Sequence, residues 1–493
     1  MPVTMMITVV LLPILGGILI MLLPFKTRRQ MLIYIESLVL INSALVIAML
    51  LNQPEGALVL FRFTGNLRVS FQLDGLGTVF AAMAALLWPL AVLYSFEYME
   101  HEHNEKSFFM FYIITYGVTL GVAMADNILT MYFFFEMMSL VTLPLIMHTQ
   151  TREAQLASRS YLYYMIGGAA FAFIGMIFIL AYGTTSAFVP GGVLDPAKIG
   201  DKTNMMLFVY VSCFLGFSVK TAIWPFSNWL PRAGVAPTPV TALLHAVAVV
   251  NTGAFAAMRV TYYSFGTELI SGTWAQYVVM ILVIFTIVYG CSRALKETHI
   301  KRRLAWSTVS NLSYILFGVV LMTPLGLAAA LCHMLFHSFM KICSFFCAGA
   351  VMCKTGCSYI HELDGFGRKM PKVFVIFTIS GMALMGVPGL AGFISKWQLA
   401  QAGVASENPL AWVGVGALLI SALLTAIYML TISVRAFFPG KDFDYNRISD
   451  VKDPGWRMLL PLVVFAIVIV IFGVHSQPFV EAFQDVASVM AAR

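Results

Sequence analysis

Residues Gly216 to Phe226 read GFSVKTAIWPF, with a lysine and, five residues on, a proline inside a long apolar run. Both are expensive if the run crosses a membrane. A charged side chain at the bilayer centre costs at least a few kcal/mol. A proline removes a backbone donor and clashes with the preceding turn. Composition decides the setting: of 493 residues, 60% are hydrophobic and 11% charged, with a mean hydropathy of +0.86. A soluble chain of this length needs far more polar surface, so the fold class is an all-α polytopic membrane protein. A span needs about 20 apolar residues. Fourteen such runs are predicted, at 3–24, 31–51, 75–96, 107–125, 128–148, 160–182, 204–226, 239–264, 273–294, 307–324, 326–352, 372–397, 408–434 and 457–474. The first has no basic segment before it and no small-residue cleavage site after it, and so reads as a retained helix.

The formal net charge is +7, but its distribution argues for topology rather than for nucleic acid. With charges at span ends counted in the adjoining connection, odd-numbered connections hold 21 of the thirty Lys and Arg residues and even-numbered ones hold 5. The positive-inside rule then places the odd connections in the cytoplasm and both termini outside. Only Lys220, Lys341 and Lys396 lie within spans. Cys353 and Cys357 stand four apart with no second pair of ligands in sight, so neither a metal site nor a disulfide is expected. No nucleotide, flavin or iron–sulfur fingerprint occurs, and no cofactor is expected on this chain. The whole chain, 1–493, reads as one integral membrane domain. Residues 52–74 alternate on either side of Thr64-Gly65-Asn66, as an external β-hairpin does. Residues 475–493 suggest a short interfacial helix.

Helices 7 and 12 share a pattern. Helix 7 carries Lys220 and then Pro225; helix 12 carries Gly386-Val387-Pro388-Gly389 and then Lys396. Five helices separate them, so helices 4–8 (107–264) and 9–13 (273–434) are expected to be two copies of one unit. A unit with an odd number of spans, repeated once, must be inverted. Paired interruptions in such repeats point to a transport site at the bilayer midplane. A proline-freed carbonyl needs water or a polar side chain, so the breaks belong beside a hydrated cavity. Each break taken alone is also compatible with an ordinary kink.

The titratable residues inside the apolar runs are the candidate site. Glu136 lies in helix 5, Lys220 in helix 7, His245 in helix 8, His333, His337 and Lys341 in helix 11, and Lys396 in helix 12. Burial moves a lysine and a glutamate toward neutrality and a nearby opposite charge reverses that, so a Glu–Lys pair can change protonation when its partner moves. His333, His337 and Lys341 are spaced i, i+4, i+8 on one stripe, about 6 Å per step. Histidine can pass a proton through its two nitrogens. A single histidine is equally well read as a core residue bonded to a carbonyl; three titratable groups on one stripe fit that reading poorly. Glu36 is read as interfacial. Glu97, Glu100, Glu102 and Glu105 are read as a solvated cluster, and Arg259 as snorkelling outward.

The runs FFFEMMSL (133–140), VKTAIWPFSNWLPRAGVAPTPVTALLHA (219–246), HMLFHSFMKICSFFCAGA (333–350) and GVPGLAGFISKWQL (386–399) resemble the antiporter-like subunits of respiratory complex I. That family extends to Mrp cation/proton antiporters and energy-converting membrane hydrogenases. The resemblance is close over helices 4–13 and holds in outline elsewhere. It implies fourteen helices, inverted five-helix repeats and broken helices 7 and 12. It also implies a functional pair at Glu136 and Lys220, a relay at His333, His337 and Lys341, and a final lysine at Lys396. Where many relatives carry a helix 8 lysine, this chain has Asn251, which gives His245 added weight. The chain stops about 20 residues past helix 14, so the long lateral helix of the terminal complex I subunit is not expected.

Together these features predict a proton-translocating subunit of a larger complex in a prokaryotic cell membrane. Its expected partners are other membrane subunits, antiporter-like paralogues among them, and the lipid bilayer. A Na+/H+ antiporter subunit is the first alternative, since sodium sites can be built from carbonyls and hydroxyls. A stand-alone solute carrier is the second, and it wants a more varied polar pocket. Redox chemistry, if the complex performs it, falls to the partners.

Overall fold

The computed structural model describes residues 3–65, 67–440 and 443–489. It is almost wholly helical. The uninterrupted helices are α1 (Met5–Leu22), α2 (Arg28–Asn52), α3 (Gly75–Tyr98), α4 (Glu105–Ala123), α5 (Ile128–Ile146) and α6 (Arg152–Tyr182). Two interrupted ones follow: α7a (Thr203–Ser218) with α7b (Trp229–Arg232), and α8a (Thr238–Ala246) with α8b (Val249–Met258). Next come α9 (Trp274–Lys296), α10 (Ile300–Val320) and α11 (Pro324–Thr355). The third interrupted helix is α12a (Pro371–Met385) with α12b (Ala391–Ala405), followed by α13 (Pro409–Phe437), α14 (Trp456–Val474) and α15 (Gln477–Ser488).

Each of the fourteen expected spans therefore meets a helix or a pair of half-helices. Among the described residues, eleven helical segments are long and apolar enough to cross a membrane unaided. The half-helices α7a and α12a fall short because a break stops each of them. The remaining span, α10, opens on the basic run Lys301-Arg302-Arg303.

Local chemistry sets the boundaries. Asp74, Asn127, Thr151 and Thr323 cap their helices by accepting amide hydrogen bonds from Gly77, Thr130, Ala154 and Gly326. Such caps satisfy donors that a helix start leaves free. Proline opens α11, α12a and α13, where its missing amide costs nothing.

Three interruptions shape the interior. After Ser218 the chain leaves the helix, passes Ala222 at φ +57° and Pro225, and resumes at α7b. Between α12a and α12b, Gly386 at φ +97° and Gly389 at φ +86° take left-handed conformations on either side of Val387 and Pro388. The third was not expected. Helix 8 reads as continuous over 239–264, yet it stops at Ala246, resumes at Val249 and ends in a π-helical turn over Arg259–Phe265. Neither proline nor glycine lies at this break. Instead the Asn251 side chain donates to the Ala246 carbonyl at 2.7 Å, supplying a partner where α8a ends.

α11 runs unbroken for 32 residues and is buried along its hydrophobic length, as is α8. It packs against α3, α8a, α10, α12a, α12b, α14 and α15. Apolar side chains on α6 and α13, such as Ile166, Leu419 and Leu423, point outward, as they must against lipid. The expected hairpin is present as β1 (Leu58–Thr64) paired antiparallel with β2 (Leu67–Phe71); Asn66 of its turn lies outside the described residues. Its second strand is stapled to the start of α5, where Asn127 donates to the Ser70 hydroxyl at 2.8 Å. The tail forms α15 as expected, with Val480, Phe483 and Ala487 on its buried face.

Candidate functional site

The break in helix 7 exposes Lys220 to helix 5 rather than to its own helix. The residue is 1% exposed. Its ammonium donates to the Phe135 carbonyl at 2.8 Å and the Ser139 hydroxyl at 2.6 Å, and sits 4.0 Å from the centre of the Phe135 ring. The Phe135 carbonyl, already inside a helix, uses its second lone pair for this. Gly253 on α8b makes room, because a Cβ there would lie 2.8 Å from that of Lys220. Glu136, one residue from the carbonyl that holds the lysine, is half-buried, and its Oε1 has no protein partner. The two side chains are neighbours without being an ion pair.

The second group of candidates gathers around α11. His333 and His337 lie with ring centroids 5.7 Å apart. His333 Nδ1 shares a 2.9 Å hydrogen bond with the Ser395 hydroxyl on α12b. The Lys341 ammonium donates to the Ser307 hydroxyl on α10 at 2.7 Å, and Tyr428 on α13 donates to the same oxygen at 2.7 Å. Lys396 reaches back across the break of its own helix to the Leu384 and Met385 carbonyls, at 2.6 and 3.2 Å, with the Tyr314 ring centre 5.2 Å away. His245 ends α8a with its ring centre 4.8 Å from that of Phe345. His337 lies one helical turn from His333 and one from Lys341 on the same stripe of α11.

The two groups meet through α8b. Gly253 abuts Lys220, and Asn251 donates to the hydroxyl of Ser338, the residue beside His337, at 2.8 Å. No hydrogen bond among the described residues joins the groups directly. Both ring nitrogens of His245 and of His337, His333 Nε2 and Asn251 Oδ1 are buried without a protein partner. Buried polar atoms are rarely left so, and a run of them in a polar interior is the setting in which ordered water bridges side chains. Pro225 and Pro388 both lie in the breaks, as expected.

The sequence reading missed several groups. Ser139, Ser307, Ser395, Tyr314 and Tyr428 hold or face the titratable side chains, and all sit inside apolar runs. A serine three residues after Glu136 and another just before Lys396 were the available signals. Lys301, read as topological charge, is 4% exposed and donates to the Ala236 carbonyl at 2.9 Å. Two other expectations are corrected. Arg259 does not snorkel: it is 1% exposed, enclosed by the rings of Phe188, Phe255 and Tyr263, and doubly bonded to Asp74. A carboxylate within reach makes burial cheaper than extension to the surface. The acidic cluster after α3 is not merely solvated either. Glu105 pairs with Arg28 at 2.7 Å and Glu97 with Lys354 at 3.0 Å, tying that connection to α2 and α11.

Titratable side chains inside the bundle, gathered beside interrupted helices, are the features expected of an antiporter-like membrane subunit. The family comparison agrees: the NADH:quinone oxidoreductase/Mrp antiporter transmembrane profile matches residues 125–425, and that of the complex I chain 5 N-terminus matches 62–109. The chain belongs to the NADH:quinone oxidoreductase/Mrp antiporter family. It is 27% identical over 397 residues to NAD(P)H-quinone oxidoreductase chain 4-2 of Synechocystis sp., covering 78% of this chain and 68% of that one. In fold it is similar to a chain of the membrane-bound sulfane sulfur reductase, an archaeal respiratory membrane complex, with a TM-score of 0.85, 21% identity and coverage of 98% and 97%. It is also similar to a chain of the Mrp complex from Dietzia sp., with a TM-score of 0.84, 20% identity and coverage of 98% of this chain and 52% of that one. Both neighbours come from multisubunit membrane complexes.

Proposed function

We propose that this chain moves protons across the membrane as one subunit of a complex I-related or Mrp-type assembly. Protons load near Glu136 and Lys220, pass along α8b to His245 and the His333–His337–Lys341 stripe, and leave by Lys396. The observation that carries the reading is the set of buried histidine ring nitrogens and the Asn251 amide oxygen with no protein partner, between two lysines that each sit at a helix break. Carbonyls and serines hold the lysines, so a change of protonation breaks hydrogen bonds rather than an ion pair. Glu136 lies between Phe133 and Leu140, both facing outward, which suits control by the side chain of an adjoining antiporter-like subunit.

In this reading α4–α8 and α9–α13, residues 107–264 and 273–434, are the two inverted five-helix units. The lysine- and arginine-rich connections face the cytoplasm of a prokaryotic cell and both termini face outward. Partner subunits or an opposing ion gradient supply the energy. The test is Lys220→Ala in the assembled complex, with proton pumping measured in sealed vesicles. Loss of pumping with intact assembly supports the pathway; unchanged pumping removes Lys220 from it. Pumping that requires a sodium gradient assigns the chain to Na+/H+ exchange instead.

A further inference from the structure

A groove of about 710 Å³ opens on the outer surface of the bundle between α12a and α14. One wall presents Lys372, Val375 and Ile376, and the other Trp456, Leu460 and Val463. The second set is spaced i, i+4, i+7, a single stripe that descends about 10 Å into the apolar layer at 1.5 Å per residue. Val375, Leu460 and Val463 are exposed there, although the chain has an ample interior to bury them in.

The groove is polar at one end only. Lys372 stands exposed at its mouth, and the Arg457 guanidinium lies 5.9 Å from the centre of the Trp456 ring. The exposed Lys452 is close by in sequence. The nearby acids are fewer than the bases or paired: Asp453 accepts from the Lys372 and Val373 amides at 3.4 and 3.3 Å, Asp450 is exposed beside Lys452, and Glu97 accepts from the Gly455 amide at 2.7 Å and pairs with Lys354. An indole at the rim marks the depth of the headgroup layer. Cations at the mouth and hydrocarbon walls below match a molecule with an anionic head and an apolar tail.

We propose that this groove binds one acyl chain of an anionic phospholipid, whose phosphate meets Lys372 and Arg457. Zwitterionic lipid offers the same tail, but its own cation opposes that pair. A helix from a neighbouring subunit fills apolar walls equally well, yet gives the two basic side chains nothing to bind.

The assembled complex, placed in nanodiscs with diazirine-tailed phosphatidylglycerol or phosphatidylcholine, tests this by mapping the photolabelled residues. The phosphatidylglycerol probe is expected to label the 371–376 and 456–463 walls several-fold more than the phosphatidylcholine probe. Lys372→Gln and Arg457→Gln are each expected to lower that labelling roughly fivefold, leaving phosphatidylcholine labelling unchanged. Val375→Trp, which fills the groove, is expected to remove labelling by both probes. Equal labelling by the two headgroups overturns the proposal, as does full phosphatidylglycerol labelling in the Lys372→Gln, Arg457→Gln double variant. So does a photo-cross-link from Leu460 to another subunit in place of lipid.

Discussion

The Lys220 ammonium is bound to the carbonyl of Phe135, the residue immediately before Glu136, and makes no ion pair with the glutamate itself. Ser139 completes its coordination at 2.6 Å, so this hydroxyl fixes where the lysine rests. A hydrogen bond to a charged group contributes about 1.5–3 kcal/mol. Ser139→Ala is therefore expected to slow proton translocation roughly tenfold or more while leaving assembly intact, and Ser139→Thr, which keeps the hydroxyl, to restore most of it. Pumping in sealed vesicles with matched amounts of complex checks both.

Gly386 combines a left-handed backbone with close approach to Lys396, since a Cβ there would lie 3.3 Å from the lysine Cδ. Gly386→Ala places a side chain in a conformation that costs about 1–2 kcal/mol for an L-residue, and it crowds the lysine as well. The expected outcome is a lower unfolding temperature of the purified complex together with reduced pumping. Gly416→Ala, in open space on α13, is expected to change neither.

Breaking the Arg259–Asp74 pair strands a buried guanidinium. Removing one partner of such a pair costs about 3–5 kcal/mol, so Asp74→Asn is expected to lower the yield of assembled complex sharply. The double variant Asp74→Asn, Arg259→Gln is expected to recover part of that yield, because no unpaired charge remains. Comparing the thermal stability of the two variants measures the coupling.

His299 lies in the connection between α9 and α10, with its ring against Tyr359. Burial, reinforced by Lys301 and Arg302 and opposed by Glu297, holds its pKa down to about 4 from the ordinary 6.5. The folded connection thus favours neutral imidazole. Between those two values the unfolded chain binds more protons, so stability rises with pH across the window. The contribution is complete above about pH 6.5 and is lost progressively as pH falls toward 4. His299→Gln is expected to flatten that part of the profile, as read from melting temperature against pH for both proteins.

Much of this arrangement was legible because membrane insertion penalises what does not belong. Apolar length marked the spans, and each charge kept inside one stood out: Glu136, Lys220, Lys341 and Lys396 all reach the interior or its edge. What held them was not legible. Ser139 and Ser307 are cheap enough in a helix to pass as packing residues, and only the neighbouring helix shows that a lysine ends on them. Arg259 misled because its partner, Asp74, is 185 residues away in sequence, and a long side chain near a span end has an equally good route to water. The break at Ala246 carried no proline or glycine to announce it; the carbonyl it frees is met by a side chain five residues downstream.

That last break differs in kind from the other two. Prolines enforce the gaps in helices 7 and 12, and ring closure cannot be reversed by motion. The gap in helix 8 is held by hydrogen bonds alone, from the Val247 and Ala248 amides to the Leu243 carbonyl at 3.1 and 3.0 Å and from the Asn251 side chain to the Ala246 carbonyl at 2.7 Å, and no proline ring stands within it. His245 stands one residue before this gap, so the backbone that positions it is set by hydrogen bonds rather than by a ring.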